Sequence, residues 1–203
     1  MKNHFIQFLW LIILFTTACS KPKPTSCEPT VQNYYLTGGD KAKIPYTGSD
    51  TLVFISNTND TVTAIGSGKI LGFEITDNHS APDCPRYTDE NIYENYTCNF
   101  LDKNKNPFIS ITLTSNSFRT NNNSLVDVTM IFNNLYFYLL AYDISHMGSW
   151  NYISSITFNG KQYKDVSCAY KDDADHNSKL YYNQQYGIIR VELNNQQIVW
   201  TLK

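Results

Sequence analysis

Beyond residue 30, short apolar and β-branched runs are separated by Asn, Asp and Gly clusters, and several of them alternate apolar with polar side chains. This pattern constrains the fold more than any other feature. Period two places successive side chains on opposite faces, so each alternating run reads as a strand with one buried and one wet face. Residues 108–114 are the clearest case: Ile109, Ile111 and Leu113 share one face, while Ser110, Thr112 and Thr114 share the other. No segment combines helical periodicity with a cap at its start. The chain is therefore expected to be all-β, an antiparallel sheet domain forming a sandwich or a partly closed barrel.

The runs and their turns can be followed in order. Residues 31–36 precede a turn at Gly38-Gly39-Asp40. Residues 51–56 and 61–66 flank Asn57-Thr58-Asn59-Asp60 and read as a hairpin. Gly66 and Gly68 are expected to turn the chain into a strand over 69–76, followed by a long loop over 77–91. Strands are expected at 92–100, 108–114 and 125–132. The run 135–142 is apolar on both faces and is expected to be a central strand covered on both sides, with a short buried helix as the alternative that periodicity alone leaves open. Asn133-Asn134 and Asn159-Gly160 suit tight hairpins, because both tolerate the positive φ those turns need. In 187–193, Ile189, Val191 and Leu193 are expected to share one face. In 197–202, Ile198, Trp200 and Leu202 are expected to do the same.

The first residues address location. Lys2 precedes an apolar run over 5–15, broken only by Gln7, and small residues follow at Thr16, Thr17 and Ala18. This is the layout of a secretory signal peptide over 1–18. The run is shorter than the roughly 20 residues a spanning helix needs, which disfavours a retained anchor. Thr16-Thr17-Ala18-Cys19 resembles the lipobox of bacterial lipoproteins, with Thr16 where that family usually has Leu. The resemblance implies that Cys19 is acylated (a palmitate-type anchor) and that the partner at this end is the membrane. Ordinary secretion after Ala18 is the alternative. Residues 19–30 would then be a lipidated cysteine followed by a Pro-rich tether, since such segments act as semi-rigid spacers. Several acyl chains give stable anchoring. Residues 31–203 would form the single all-β domain.

The style of the chain, rich in Asn and Tyr, also resembles lipoproteins of the Bacteroidota. Residues 179–200 (KLYYNQQYGIIRVELNNQQIVW) resemble the C-terminal signature of small uncharacterised members of that group, with a Tyr-Tyr pair, a Tyr-Gly-Ile-Ile strand and a late Trp. Surface-exposed members resemble one another in an acidic run after the cysteine. Ser20-Lys21-Pro22-Lys23-Pro24 is basic instead, which implies an outer-membrane lipid anchor facing the periplasm.

Four cysteines follow Cys19: Cys27, Cys84, Cys98 and Cys168. In an exported chain an even set suggests disulfides, and four cysteines allow three pairings. The short spacing of Cys84 and Cys98 favours that pair, leaving Cys27 with Cys168. Free buried thiols are the alternative. The formal net charge is −2 and no Lys/Arg stripe appears, so nucleic acid is not an expected partner.

Sites for chemistry are sparse. No G-x-S-x-G occurs, and His79, His146 and His176 lack a partner motif, so no catalytic residue and no cofactor are expected. Asp172, Asp173 and Asp175 are the best metal candidates, because clustered hard oxygens suit Ca²⁺, although the segment lacks the Gly and distal Glu of an EF-hand loop. A solvated hairpin loop is the favoured reading of them, because that mismatch counts against a Ca²⁺ site. Asp50-Thr51-Leu52 and Asp60-Thr61-Val62 resemble the Bacteroidota O-glycosylation signal, with Thr51 and Thr61 as acceptors. Tyr34-Tyr35, the aromatics of 136–142, and Tyr181, Tyr182 and Tyr186 could line a cavity for an apolar or glycan ligand, or simply pack in strands. The expected function is a membrane-anchored, non-catalytic binding or envelope-associated module. The alternative is a hydrolase of envelope or glycan substrates, for which Glu74, Asp127 and Glu192 would have to converge.

Overall fold

The computed structural model describes residues 30–79, 88–115, 126–139, 150–170, 178–194 and 197–203. Their order is β1 (Val31–Tyr34), α1 (Gly38–Lys41), β2 (Thr51–Ser56), β3 (Thr61–His79), β4 (Thr88–Leu101), β5 (Pro107–Ser115) and β6 (Val126–Phe132). Then come β7 (Leu135–Leu139), β8 (Trp150–Phe158), β9 (Lys161–Tyr170), β10 (Lys179–Asn183), β11 (Gly187–Leu193) and β12 (Ile198–Leu202). The chain divides into two compact units. The smaller comprises Met1–Val31 and Asp77–Glu90, and the larger Gln32–Thr76 and Asn91–Lys203. Within the smaller, the Thr30 amide and hydroxyl both donate to Asp89 Oδ1 (3.0 and 2.7 Å), and the Glu90 amide donates to the Thr30 carbonyl.

The fold is all-β, as the two-residue periodicity requires. It is one antiparallel sheet in the order β7-β6-β5-β4-β3-β2-β12-β11-β10-β9-β8, with β1 beside β4, and it does not close into a barrel. Two meanders in chain order, β2 to β7 and β8 to β12, are joined where β12 pairs with β2. Strong curling follows from the core. Four strand steps separate β2 from β6, roughly 19 Å along a sheet. Yet the Phe54 and Phe132 rings meet edge to face at 5.4 Å. Only a sheet rolled about its concave face brings them together. That face holds the main core, with Phe54, Phe100, Ile111, Met130, Phe137 and Leu180 fully buried. Phe158, Tyr163, Val166, Cys168, Tyr181 and Ile189 form a second core on the opposite face of β8–β11.

The segment between β1 and β2 plugs the concave face. Thr37 and Asp40 form a capping box that holds the one-turn α1 where a plain turn was expected. Glu94, 4% exposed, accepts from Lys41 Nζ at 2.6 Å and the Leu36 amide at 2.7 Å. Tyr46 packs edge-on against Phe100, and its hydroxyl accepts the Ile188 N–H at 2.7 Å. Gly187 leaves room for this: a Cβ there would stand 1.8 Å from the Tyr46 hydroxyl oxygen, and its φ of +76° suits glycine.

Several expectations hold. Ile109, Ile111 and Leu113 are buried together, and the hairpin asparagines Asn133, Asn134 and Asn159 have φ of 48°, 64° and 50°. Trp200 and Leu202 pack against the main core. Others are corrected. Gly66 and Gly68 do not turn the chain. They lie inside the 19-residue β3, where Gly66 passes the Gly48 carbonyl so closely that a Cβ would be 2.4 Å from its oxygen. Strand β7 stands at one end of the sheet order, not at its centre, and Tyr136 is half exposed. Ile189 leaves the face of Val191 and Leu193. The register jumps from Tyr181↔Arg190 to Tyr182↔Ile188, so Ile189 is the extra residue of a bulge and turns to the second core.

Removing the Tyr46 hydroxyl orphans a buried N–H, which costs about 1–3 kcal/mol. Urea unfolding of Tyr46→Phe is expected to show that loss with an unchanged m-value. Gly187→Ala, which adds a clash and backbone strain, is expected to lose more.

Candidate functional site

The sheet leaves a cavity of about 680 Å³ on its concave side, between β6 and the β8–β10 strands. Val126 and Val128 of β6 supply an apolar wall. Tyr152, Ser167 and Tyr182 supply hydroxyls, and Lys43, Lys164, Asp165, Asn183, Gln184 and Gln185 complete the lining. The parity of the strands explains the convergence. Tyr152 is the register partner of Ser167, and Ser167 that of Tyr182, so three neighbouring strands present these side chains on one face.

Some lining groups are already committed to structure. The Tyr182 hydroxyl donates to the Lys43 carbonyl at 2.5 Å, tying the plug segment to β10. Asn183 accepts from the amides of Gln185 and Tyr186 and donates to the Lys164 carbonyl, so it builds the β10–β11 turn. That turn carries Gln184 and Gln185, both exposed, to the cavity rim. Tyr152 is different. It is 67% exposed, more than Phe73 or Tyr136, the other exposed aromatics on strands. Its hydroxyl donates to Asp165 Oδ1, and that bond holds the phenol neutral above its ordinary pKa. Asp165 sits at φ 52° within β9, a left-handed position that aspartate tolerates better than most residues.

Of the residues singled out from sequence that the structure describes, only Tyr182 lines this cavity. Thr51 and Thr61 are exposed first residues of β2 and β3, reachable as glycosylation acceptors. Beside Thr51, hydrogen bonds from Thr47 and Gly48 outweigh the opposing effect of burial and lower the Asp50 pKa. Glu74, Asp127 and Glu192 do not converge. They stand on β3, β6 and β11, with two strands between β6 and β3 and two between β3 and β11. Glu192 is bound to Arg190 at 2.7 Å. Tyr181 belongs to the second core and only Tyr182 of that pair reaches the cavity. Cys19, Cys27, Cys84, His146, Asp172, Asp173, Asp175 and His176 lie outside the described residues, as does the side chain of His79. Among the described residues no cluster of His, Cys, Asp or Glu could hold a metal, and no helix is long and apolar enough to cross a membrane.

The expected disulfide ends are corrected at Cys98 and Cys168. Both are free, buried thiols. The strand periodicity turns Cys98 into the main core and Cys168 into the second, where each behaves as a small apolar side chain. Tyr152 and Asp165 were not recognisable as site residues. Tyr152 reads as an ordinary strand former, and nothing local to Asp165 signals its backbone conformation.

The buried groups make stability depend on alkaline pH. Burial pushes the Cys168 thiol up to about 11 and raises Cys98 as well. Burial likewise lifts Tyr46, Tyr181 and Tyr182 above the ordinary phenol range. Each group keeps its proton longer folded than unfolded, so this stability is complete at neutral pH and is lost as pH rises past the unfolded values. Urea midpoints are expected to fall from about pH 9, where an unfolded thiol ionises, and more steeply beyond pH 10, where phenols follow. A midpoint flat between those values would contradict the burial. Alkylation at pH 8 is expected to leave Cys98 and Cys168 unmodified until the chain unfolds. Comparison with known proteins finds no matching family model, no matching curated protein and no matching solved structure.

Proposed function

We propose that this chain is an exported, lipid-anchored, non-catalytic binding module that holds a glycan in the concave cavity. The observation that carries the reading is the exposed Tyr152 ring at a polar cavity of about 680 Å³. That volume falls within the range of small-molecule sites. Sugars carry an apolar ring face and a fringe of hydroxyls. An accessible aromatic ring with a carboxylate, amides and hydroxyls beside it is complementary to both. Gln184 and Gln185 offer donors and acceptors, and Asp165 offers a strong acceptor already oriented by Tyr152. A wholly apolar ligand would leave these groups desolvated without partners, which is costly.

The hydrolase alternative is less favoured. Glycoside hydrolysis ordinarily uses two carboxyl groups about 5–9.5 Å apart. Among the described lining residues, Asp165 is the one carboxylate. The tether reading rests on residues 1–30: the signal-like start, Cys19 and the Pro-rich spacer. The basic Ser20-Lys21-Pro22-Lys23-Pro24 favours an outer-membrane anchor facing the periplasm.

Binding is tested by calorimetric titration of the protein with a panel of neutral and acidic oligosaccharides, including soluble peptidoglycan fragments. Tyr152→Ala is expected to weaken binding by about 2- to 13-fold, the factor that a 0.5–1.5 kcal/mol aromatic contact gives. Absence of binding across the panel, or an unchanged affinity in the variant, would remove the glycan reading. Anchoring is tested separately. Cys19→Ser is expected to abolish incorporation of labelled palmitate and release the protein from the membrane fraction. Protease added to intact cells is expected to spare the native protein, and ready cleavage would place it on the outer surface.

A further inference from the structure

Strand β3 outruns its neighbour. Its pairing with β2 ends at Thr51↔Ile65, and the amides of Gly66 and Gly68 extend it by bonds to the Asp50 and Gly48 carbonyls. Beyond Gly68, no strand among the described residues pairs with β3 on the side away from β4. Among the described residues this edge is uncovered and largely apolar. Leu71, Phe73 and Ile75 are 52%, 56% and 61% exposed, and a Cβ on Gly72 would meet nothing within 4 Å. An exposed, apolar strand edge is a template for another strand, and proteins ordinarily blunt one with charge, proline or a cover.

We infer that the occupant of this edge is a second copy of the same chain, paired through β3 in antiparallel register about Phe73. The sequence is self-complementary in that register. Phe73 stands opposite Phe73 of the second copy, and Leu71 stands opposite Ile75. Alternation puts all of them on one face, so six large apolar side chains form one cross-strand patch. Moving the centre to Gly72 would set Ile70 against Glu74, and to Glu74 would set the two carboxylates against each other. A two-fold pairing of this kind is isologous and closes at two copies. Three side chains per copy make a small interface, below the ~1,200 Å² of stable complexes, so the dimer is expected to depend on concentration. Nothing in this inference depends on the cavity or its ligand.

The test uses the full chain in detergent, with single variants compared against the wild-type background of native thiols. Under mild oxidation, Phe73→Cys is expected to cross-link to a dimer, with mass spectrometry locating the bond at position 73 on both copies. Gly72→Cys, on the other face, is expected to cross-link roughly tenfold less, the factor for about 1.4 kcal/mol of register preference. In sedimentation velocity, the wild type is expected to shift from monomer to dimer with concentration, and Phe73→Lys to remain monomeric. Three results would each overturn the pairing: equal cross-linking at positions 72 and 73, a wild type that is monomeric throughout, or a dimer that survives Phe73→Lys. A monomer that floats with phospholipid vesicles through the same residues would assign the edge to a membrane surface instead.

Discussion

The hydrogen bond from the Ile188 amide to the Tyr46 hydroxyl is the constraint on which the rest of the larger unit turns. An open sheet rolled about its concave face must fill that face with side chains. The residues before β2 do this with Leu36, Ile44 and Tyr46. Tyr46 can reach the β11 backbone only because Gly187 has no side chain. The bond therefore ties the plug to the second meander, while the ring of Tyr46 packs on Phe100 in the first. Tyr182 repeats the connection from the other side through the Lys43 carbonyl. A phenol suits these positions, since its body is apolar and its tip can satisfy one buried backbone group.

The bulge at Ile189 follows from the same geometry. The main core uses Ile188, Val191 and Leu193, and the second core uses Ile189. A regular strand cannot place both Ile188 and Val191 on one face, because they differ by an odd number of residues. The extra residue makes the parity change, and it lets one short strand serve two cores. The second core in turn supports β8 and β9, where Phe158 lies edge-on to Tyr181 and Arg190 covers the Phe158 ring at 4.6 Å. These strands carry Tyr152 and Asp165, so the cavity rim rests on packing from the far side of the sheet.

Much of the fold was legible locally. The strand periods, the asparagine hairpins at Asn133-Asn134 and Asn159-Gly160, and the buried face of β5 follow from backbone preference and alternation alone. The two glycines at 66 and 68 misled because glycine answers two needs. It permits a turn, and it also permits close approach of another backbone, which is what the Gly48 carbonyl requires here. The run at 135–142 misled because an apolar strand reads the same at an end of a sheet and at its centre. The cavity was legible only as a surplus of tyrosine. Which tyrosines line it depends on strand order, and Tyr181 and Tyr182, adjacent in sequence, went to different faces.

The sequence by itself determined that this chain is a sheet of short antiparallel strands, because period-two patterning and turn chemistry are properties of neighbouring residues. It also determined which residues of β5 face inward. The tertiary structure decided that the two meanders join at β2 and β12, that the sheet stays open between β7 and β8, and that Cys98 and Cys168 are apolar filling in separate cores. Those outcomes depend on contacts between residues more than a hundred positions apart, such as Tyr46 with Ile188. No local propensity encodes them, because their free energy exists only once the sheet has rolled.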